Sequence, residues 1–420
     1  MQILFVHPNF PAQFGPVGER FSKREDTQCV FVSRNASGHQ RGFDCVPYQL
    51  RGGATKGNHY CSRTFENAVW NSHAVYETCK ATPELSPDLI VGHSGFGSTA
   101  MLAELYDAPI VNLFEYFYRS RGTDMDFRPE YPSSELDRLR ARMRNAMILV
   151  DSMTCEVGYA PTHFQRDLFP ESVRGLLEVA HDGIETDIWY PREHDRSVNG
   201  EAFGPETRLV TYVSRGFESM RGFDQFIRAA KAILDQRDDV VFLVVGEEGT
   251  HYGNDKKHVG QLSFKEHIFK ETGADESSFR FLGRLSRDEL ARVLSMSEAH
   301  IYLTVPFVLS WSMLNAMACG APIVGSSTPP VAEVIADAEN GVLVDFHEPA
   351  DIAEGVLRVL DDAGLAKRLS ENGLTTIHER YSMEVCFPRL EGLYASALGR
   401  EDLSSAGHVL PSTPQAAPQR

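Results

Sequence analysis

Apolar residues occur along the chain in short continuous runs, and helical patterns separate these runs. Residues 2–7, 29–33 and 240–246 are examples of such runs. A continuously apolar strand is typical of the interior of a parallel sheet, because both of its faces are covered. Strands that alternate with helices indicate β–α–β units. The pattern therefore predicts an α/β fold.

The length of the chain indicates more than one domain, because 420 residues exceed what one hydrophobic core comfortably supports. We expect a first domain over residues 1–180, a linker over 181–205 and a second domain over 206–380. A terminal helix is predicted over about residues 381–400. The tail, residues 401–420, is rich in Ser, Pro, Gln and Ala and is predicted to be disordered.

The most informative stretch is residues 304–327, TVPFVLSWSMLNAMACGAPIVGSS. It predicts the end of a strand, a loop, a helix over residues 313–319 and a second strand. Gly320 supplies the positive φ that favours the end of a helix. A helix that begins behind the carboxyl end of a strand presents unpaired N–H groups, which bind phosphate. On this stretch alone, an ordinary β–α–β connection explains the pattern equally well.

A second stretch adds positive charge. In VSRGFESMRGFDQFIRAA, residues 213–230, a predicted strand ends close to Arg215, and Arg221 and Gly222 precede an amphipathic helix. Two guanidinium groups beside one helix N-terminus match the charge and the oxygen atoms of a diphosphate. The two stretches together therefore predict a diphosphate site.

With both stretches, the chain resembles the family 4 retaining glycosyltransferases of the GT-B fold over most of residues 1–400. The resemblance implies two Rossmann-like domains that face a cleft. The second domain would bind a nucleotide-diphosphate sugar of the GDP or UDP type, and the first would offer the acceptor. In the family an Arg, followed six positions on by Lys-Gly or Arg-Gly, grips the donor diphosphate, and Arg215 and Arg221 take those places. Retention of anomeric configuration, no metal ion, no separate cofactor and a terminal helix that crosses back onto the first domain are also implied.

The chain departs from the family at its E-x7-E element, where Phe307 and Asn315 replace both Glu residues. The family's acids bond hydroxyl groups of the donor sugar and of the ribose. Asn can accept one hydrogen bond and donate another without charge, whereas a phenyl ring forms neither. An apolar ring in place of a carboxylate predicts an unusual donor sugar, for example a deoxygenated one.

The resemblance also assigns other site residues. His93 stands at the carboxyl end of a predicted strand, where open α/β sheets place ligands, and matches a family histidine near the reacting carbon of the sugar. A helix is expected after the glycine-rich turn that follows His93. The remaining donor contacts implied are Gly15, Arg284, Leu285, Leu309, Ser310 and Ser312.

Charged and aromatic residues cluster at the exit of the strand predicted after residue 109. Such a cluster can orient a polar acceptor or stack on it. FEYFY, residues 114–118, and FRPEYP, residues 127–132, resemble a signature of a bacterial subgroup of the family. Aromatic packing under a long loop explains the cluster equally well. The acceptor-binding candidates are Glu115, Tyr116, Tyr118 and Arg119.

Charge limits the partners, because a formal net charge of −17 repels nucleic acid and anionic lipid at long range. A predicted helix, residues 134–147, carries the best candidate for a membrane-docking patch, but its arginines are spread around the helix and form no single stripe. We therefore expect a small soluble acceptor, and homodimer formation stays open. The four arginines are Arg138, Arg140, Arg142 and Arg144.

Other local patterns bear on compartment and metal binding. No apolar run reaches the roughly 18 residues of a membrane span, and residue 1 leads directly into a strand, so no signal peptide is expected. Seven scattered cysteines are typical of reduced thiols in the cytoplasm, and no zinc site is predicted. Asp124-Met-Asp126 mimics the D-x-D metal motif of another fold but is expected to be a loop. Residues 148–150 are predicted to form a short strand.

Rival functions fit the same pattern. The loss of both acids fits a GT-B protein that binds a nucleotide but no longer catalyses. A GT-B epimerase or hydrolase would consume the donor without an acceptor, and a membrane-associated transferase would act on a lipid or polysaccharide. An NAD(P) dehydrogenase is not expected, because no G-x-G-x-x-G follows a strand with an acid about 20 residues further on.

Overall fold

The structure is a computed structural model that describes residues 1–253, 255–400 and 403. Its first half is built around an eight-stranded sheet. The strands are β1 (Gln2–Val6), β2 (Gln28–Ser33), β3 (Gly38–Gln40), β4 (Phe43–Pro47), β5 (Leu89–His93), β6 (Ile110–Leu113), β7 (Val157–Ala160) and β8 (Leu177–Val179). Their order is β3-β4-β2-β1-β5-β6-β7-β8, and all neighbours are parallel except β3 and β4.

The second half is built around a six-stranded parallel sheet, and a short hairpin of β9 (Ser197–Val198) and β10 (Glu201–Ala202) precedes it. The strands of this sheet are β11 (Arg208–Gly216), β12 (Val240–Glu247), β13 (Phe279–Gly283), β14 (Ala299–Tyr302), β15 (Ile323–Ser326) and β16 (Val342–Val344). Their order is β13-β12-β11-β14-β15-β16.

Helices cover the faces of both sheets. Those of the first half are α1 (Gly15–Ser22), α2 (Arg63–Lys80), α3 (Asp124–Phe127), α4 (Glu135–Arg144), α5 (Ala146–Thr154), α6 (His163–Asp167) and α7 (Glu171–Arg174). Those of the second half are α8 (Phe223–Leu234), α9 (Lys256–Val259), α10 (Phe264–Thr272), α11 (Arg287–Ser295), α12 (Trp311–Ala318), α13 (Pro329–Ala332), α14 (Pro349–Asp361), α15 (Ala363–Thr376) and α16 (Met383–Ala397). Among the helices described, none is both long and apolar enough to cross a membrane.

The apolar runs of the sequence form the central strands. Ile3, Leu4, Phe5 and Val6 of β1 are all 0 % exposed, because helices cover both faces of the sheet. In the second sheet, the residues of β14 are buried in the same way. Parallel sheets place the carboxyl ends of their strands along one edge, where the site described below lies.

The last helix, α16, packs against the first domain. The ring of Phe387 lies 5.0 Å from that of Phe21, and the ring of Tyr394 lies 5.6 Å from it. Glu384 of α16 also forms an ion pair with Arg20 of α1 at 2.6 Å. Although α16 is distant in sequence, its apolar face therefore completes the core of the first domain.

Three local predictions are wrong. Residues 148–150, predicted as a strand, lie in α5, where Ile148 is buried and Leu149 is exposed; a short apolar run does not distinguish a strand from a helix by its period. Asp124–Phe127, expected to be a loop, forms α3, and Thr123 caps it through a capping box. The helix expected after His93 is only a 3-10 turn, Leu102–Glu104.

The helix predicted over residues 134–147 is divided at Asn145. The side chain of Asn145 accepts a hydrogen bond from the Tyr118 N–H at 2.9 Å and donates one to the Tyr118 carbonyl at 2.8 Å. This contact accompanies the break between α4 and α5. The predicted tail, residues 401–420, lies outside the described residues except for Leu403.

Candidate active site

A tight turn between β11 and α8 positions Arg221. The turn is a 3-10 segment, Ser219–Arg221, and Gly222 follows it in the left-handed conformation with φ of 62°. A Cβ atom on Gly222 would lie 2.7 Å from Cβ of Leu303, so the turn requires glycine for its conformation and for space. Arg221 is thereby held at the carboxyl edge of the second sheet.

Hydrogen bonds orient the guanidinium group of Arg221. Its Nη1 donates to Oγ1 of Thr304 at 2.8 Å and to the carbonyl oxygen of Val308 at 3.3 Å. The side chain is only 8 % exposed. Among the residues that the structure describes, no carboxylate oxygen lies within 4.0 Å of it. The positive charge is therefore oriented by neutral groups and is left to attract an anion.

Helix α12 begins at the same pocket. Ser310 caps the helix: its Oγ accepts from the Ser312 N–H at 3.3 Å, and its own N–H donates to the Tyr302 hydroxyl at 2.9 Å. Ser310 and Ser312 line one pocket together with Arg221 and the exposed Arg215. Two guanidinium groups and a helix N-terminus thus meet, a composition that suits the diphosphate predicted from the sequence. We call this pocket the diphosphate pocket.

The other predicted donor contacts lie at different depths. Leu309 and Asn315 are 7 % and 9 % exposed, at the start and in the middle of the α12 segment. Gly15 is the first residue of α1, in the first domain, and is buried. Arg284 is exposed and Leu285 is half-buried beyond the end of β13, and neither residue lines the diphosphate pocket.

Phe307, which stands in place of a family acid, lies between two tyrosines. Its ring centroid is 4.6 Å from that of Tyr116 and 5.5 Å from that of Tyr252. The side chain is 8 % exposed. Because Tyr116 follows a strand of the first sheet, this aromatic contact joins the two domains, and little of the Phe307 ring faces the cleft.

The first domain contributes a cluster of polar side chains beyond the ends of β5 and β6. We call this cluster, formed by Gln13, His93 and Glu115, the floor. The Nδ1 atom of His93 lies 2.9 Å from the Ser94 carbonyl oxygen and donates to it, because a carbonyl oxygen only accepts. Nε2 of His93 lies 3.4 Å from Oε2 of Glu115. Nε2 of Gln13 donates to the other oxygen of Glu115 at 3.0 Å. His93, the last residue of β5, and Glu115, which follows β6, are thus brought together at the carboxyl ends of neighbouring strands.

The electrostatics of the floor favour an ionised pair. Burial alone would lower the pKa of His93, but the hydrogen bond and charge of Glu115 outweigh it and the pKa is raised. Burial raises the pKa of Glu115, yet His93 holds that pKa below its usual range. His7, whose ring centroid is 5.5 Å from that of His93, has its pKa lowered to about 3 by burial and by the charge of His93. His93 therefore keeps its second proton to a higher pH than His7 does.

Asp182 lies near both the floor and the first residue of α12. Burial raises the pKa of Asp182 to about 7, and a hydrogen bond from the Trp311 side chain acts in the opposite direction. Trp311 is the first residue of α12. The charges of Glu115 and His93 also act on the Asp182 carboxyl group. The cleft side of the first domain and the N-terminus of α12 therefore face each other.

The predicted acceptor residues do not form one open rim. Glu115 belongs to the floor, whereas Tyr116 is 4 % exposed and its hydroxyl donates to Asp124 at 2.7 Å. The Tyr118 hydroxyl accepts a hydrogen bond from Nη2 of Arg144 at 2.7 Å. Arg119 is exposed, and its Nη2 donates to the carbonyl oxygen of Asp167 at 3.2 Å.

Residues 114–133, which connect β6 to α4, cross from the first domain into the second; we call them the strap. Nη2 of Arg128 in the strap donates to Oδ2 of Asp224 in α8 at 2.5 Å, and Nη1 donates to the Ser219 carbonyl oxygen at 2.7 Å. Arg128 is 5 % and Asp224 is 1 % exposed. The charge of Asp224 raises the pKa of Arg128 although burial opposes it. A buried ion pair therefore joins the domains.

Apolar contacts surround this ion pair. The ring centroid of Phe127 lies 5.2 Å from that of Phe346, and that of Tyr131 lies 5.7 Å from that of Phe264. Both partners belong to the core of the second domain. The strap is consequently packed into the second domain, while β6 and α4 on either side of it belong to the first.

Known proteins share this architecture. A crystal structure of HepE from Anabaena in complex with UDP and glucose superposes with a TM-score of 0.68, over 94 % of this chain and 100 % of that chain, at 16 % identity. The family model described as "Glycosyl transferase family 4 group" matches residues 25–189, and "Glycosyl transferases group 1" matches residues 194–376. The chain is a family 4 glycosyltransferase of the GT-B fold. The fold and the enzyme class predicted from the sequence are confirmed.

Curated relatives of this glycosyltransferase act on different substrates, according to their names. D-inositol 3-phosphate glycosyltransferase of Corynebacterium aurimucosum is 24 % identical over 76 % of this chain and 74 % of its own length. N-acetyl-alpha-D-glucosaminyl L-malate synthase of Bacillus anthracis is 22 % identical over 54 % of this chain, which spans 55 % of that relative.

Sequence reasoning missed one residue of the glycosyltransferase cleft, Tyr252, which lines the diphosphate pocket. Its ring faces the Arg221 guanidinium group at 5.2 Å. The buried carboxylate of Glu218 holds this loop, because its Oε2 accepts from the N–H groups of His251 and Tyr252 at 2.8 and 3.0 Å. The glycine-rich exit of β12 was the available signal, but it does not say which side chain turns inward.

The buried ion pair of the strap predicts that substitution of Arg128 strongly lowers the stability of the protein. Arg128→Met leaves the Asp224 carboxylate buried without its bidentate partner, so we expect the free energy of unfolding to fall by about 3 kcal/mol. Urea denaturation measures the change, and Asp224→Asn in the same chain should recover part of it. Arg121→Met, which changes an exposed residue of the strap, is the matched control. A loss no larger than that of the control contradicts the account.

A second prediction concerns Asp151, whose Oδ2 accepts from the Gly95 N–H at 2.7 Å behind His93. Burial raises the pKa of Asp151 to about 7 although this hydrogen bond opposes it. In the unfolded chain the carboxyl group of Asp151 ionises from about pH 4. In the folded chain the same group keeps its proton until about pH 7. Asp151 therefore lowers the free energy of unfolding progressively as the pH rises through that interval. The loss is roughly 1.4 kcal/mol for each unit by which the folded pKa exceeds the unfolded pKa.

Asp151→Asn should accordingly gain stability relative to the unmodified protein as the pH rises from 4 to 8. Denaturation in urea at several pH values measures the difference. Asp238→Asn, at an exposed position, controls for the loss of one charge. A difference between Asp151→Asn and the unmodified protein that stays constant with pH is the contrary result.

Proposed function

We propose that this glycosyltransferase moves a sugar from a nucleoside diphosphate donor to a small polar acceptor, with retention of anomeric configuration. The observation that carries the proposal is the meeting of Arg215, Arg221 and the N-terminus of α12 in one pocket. HepE, a structural neighbour, was solved with UDP, so UDP is the nucleotide that we propose first. The names of two relatives specify an inositol phosphate and L-malate, and small acceptors of that kind support the same class here.

The second domain stabilises the leaving group. As the bond between C1 of the sugar and the β-phosphate oxygen breaks, negative charge develops on the diphosphate and the sugar becomes oxocarbenium-like. Arg221 is already oriented by Thr304 and Val308, so it stabilises this charge without reorganisation. Arg215 and the free N–H groups of α12 add to the same field.

The first domain faces the reacting carbon. The acceptor oxygen bonds to C1 from the face that the diphosphate leaves, and the acceptor proton passes to the departing phosphate oxygen. His93 can donate through Nε2 as an imidazolium or accept there as a neutral ring, and we propose that it contacts a hydroxyl group of the donor sugar.

The Arg221 side chain provides the most direct functional test. Arg221→Ala should lower turnover by about 30- to 900-fold, corresponding to about 2–4 kcal/mol, because one preorganised donor to the leaving group is lost. Rates are measured with the UDP-sugar and acceptor that support turnover, and NMR of the product determines its anomeric configuration. Arg368→Ala, an exposed arginine of α15, is the matched control.

The possible results separate the proposal from its rivals. A loss below about tenfold counts against the diphosphate pocket. An inverted product contradicts retention. Donor consumption without an acceptor indicates a hydrolase or epimerase, and UDP binding without turnover of any sugar donor indicates a protein that only binds nucleotide.

A further inference from the structure

A second cavity, which we call the arginine cavity, lies between the domains beside the diphosphate pocket. Its volume is about 360 Å³, within the range of about 300–1,000 Å³ that small-molecule sites occupy. Helix α4 lines its first-domain wall. The opposite wall is lined by Ser219, Met220, Tyr252, Gly253, Asp255, Lys257 and His258. The side chain of Tyr252 belongs to both cavities. A molecule in the arginine cavity therefore abuts the diphosphate pocket.

Two arginines of α4 line this cavity and are held by neutral groups. Nη1 of Arg140 donates to the Tyr60 hydroxyl at 3.0 Å, and Nη2 donates to Oγ1 of Thr64 at 3.3 Å. Nε of Arg140 is buried without a hydrogen-bond partner. The guanidinium group of Arg144 lies over the Tyr118 ring at 3.6 Å. Both side chains are thus ordered, yet some of their guanidinium N–H groups have no hydrogen-bond acceptor in the part of the chain that the structure describes.

The charges of these two arginines are not compensated locally. Within the part of the chain that the structure describes, no carboxylate oxygen lies within 4.0 Å of Arg140 or Arg144. The other cations beside the cavity are paired: Arg128 with Asp224 at 2.5 Å, and Lys257 with Asp137 at 2.9 Å. A half-buried guanidinium without an anion loses hydration and gains no ion pair, so an anionic ligand is favoured there.

The carboxylates that line the cavity are already engaged. Asp124 accepts from the Tyr116 hydroxyl at 2.7 Å, and Asp255 accepts from Oγ of Ser219 at 2.5 Å. Asp137 accepts from Lys257. The charge of Asp124 and that of Arg144 act on each other, but Asp124 stays outside ion-pair distance. Because these three carboxylates already have partners, the charges of Arg140 and Arg144 on α4 remain the uncompensated ones in the cavity.

We infer that the arginine cavity holds the acceptor and that Arg140 and Arg144 bind an oxyanion carried by it, a phosphate or a carboxylate group. The inference rests on the proposed function and names its acceptor class: a small hydroxylated anion. Forked guanidinium donors fit both kinds of oxyanion. With its anionic group on α4, the acceptor extends towards Tyr252 and presents a hydroxyl group to the donor.

Calorimetric titration of the full chain saturated with UDP tests this inference. The probes are inositol 3-phosphate, L-malate and uncharged inositol. Binding by the phosphate or by the dicarboxylate, but not by uncharged inositol, supports the inference and identifies the preferred oxyanion. That binding should weaken as salt is added, because two charges are neutralised.

Variants assign the binding to the two arginines. Arg140→Gln and Arg144→Gln should each weaken binding of the anionic probe at least tenfold, and Arg140→Lys should weaken it less, because the charge is kept and only the fork is lost. The Kd for UDP should change less than twofold, which also shows that each variant is folded. The double variant Arg138→Gln, Arg142→Gln removes two charges from exposed positions of α4, twice the charge that either single variant removes, and should still bind like the unmodified protein.

The outcomes distinguish this inference from the proposed function. If UDP binds but neither anion does, or if uncharged inositol binds equally well, the inference is overturned and the diphosphate pocket stands. Unchanged affinity for the anion in both glutamine variants overturns it as well. If UDP itself does not bind to the unmodified protein, the proposed function and this inference fail together.

Discussion

The buried ion pair between Arg128 and Asp224 is the contact on which the rest of the site depends. The two residues are 96 positions apart in the chain and belong to different domains, and both are almost fully buried. Charges that deep are stable only when their partner is correctly placed, so the pair tolerates little displacement of one domain against the other. The strap thereby fixes the distance between the floor of the first domain and the diphosphate pocket of the second.

The arginines near the cleft are held in three ways, and each way suits a different task. The charge of Arg128 is neutralised by Asp224, and the role of this arginine is structural. Arg221 is oriented by a hydroxyl and a carbonyl group, so its charge is available to the diphosphate that we propose as its ligand. Arg140 and Arg144 are ordered by the hydroxyl groups of Tyr60 and Tyr118, which belong to the same half of the chain as α4. The chain as a whole is acidic, with a net charge of −17, so arginines that lack a carboxylate partner are local positive sites, and the proposed substrates are anionic for that reason.

The fold and the grouping of Arg215 and Arg221 with the start of α12 could be predicted because their signals are local. A continuous apolar run, a glycine turn and a capping serine each act within a few residues, and Arg221 and Ser310 stand directly beside such signals. The strap could not be predicted, since Arg128 shows its partner only after the chain has folded. The spacing on α4 correctly indicated arginines all around the helix, but which two face the cavity depends on where α4 packs.

The wrong predictions have the same origin. Residues 148–150 are apolar enough for a strand, and only the packing of α5 decides for a helix. The position of the Phe307 ring between Tyr116 and Tyr252 was likewise not visible in the sequence, and the predicted contact of Phe307 with the donor sugar stays a prediction. Packing between residues distant in the sequence determines both features, and a local sequence pattern contains no information about such packing.

The central claim is that Arg215, Arg221 and the N-terminus of α12 converge on the diphosphate of the donor. A crystal structure of the protein with UDP tests it most directly. The account predicts β-phosphate oxygens within about 3 Å of the Arg221 guanidinium group and of a backbone N–H of the first turn of α12. A diphosphate bound elsewhere, with Arg215 and Arg221 turned away from it, would contradict the account.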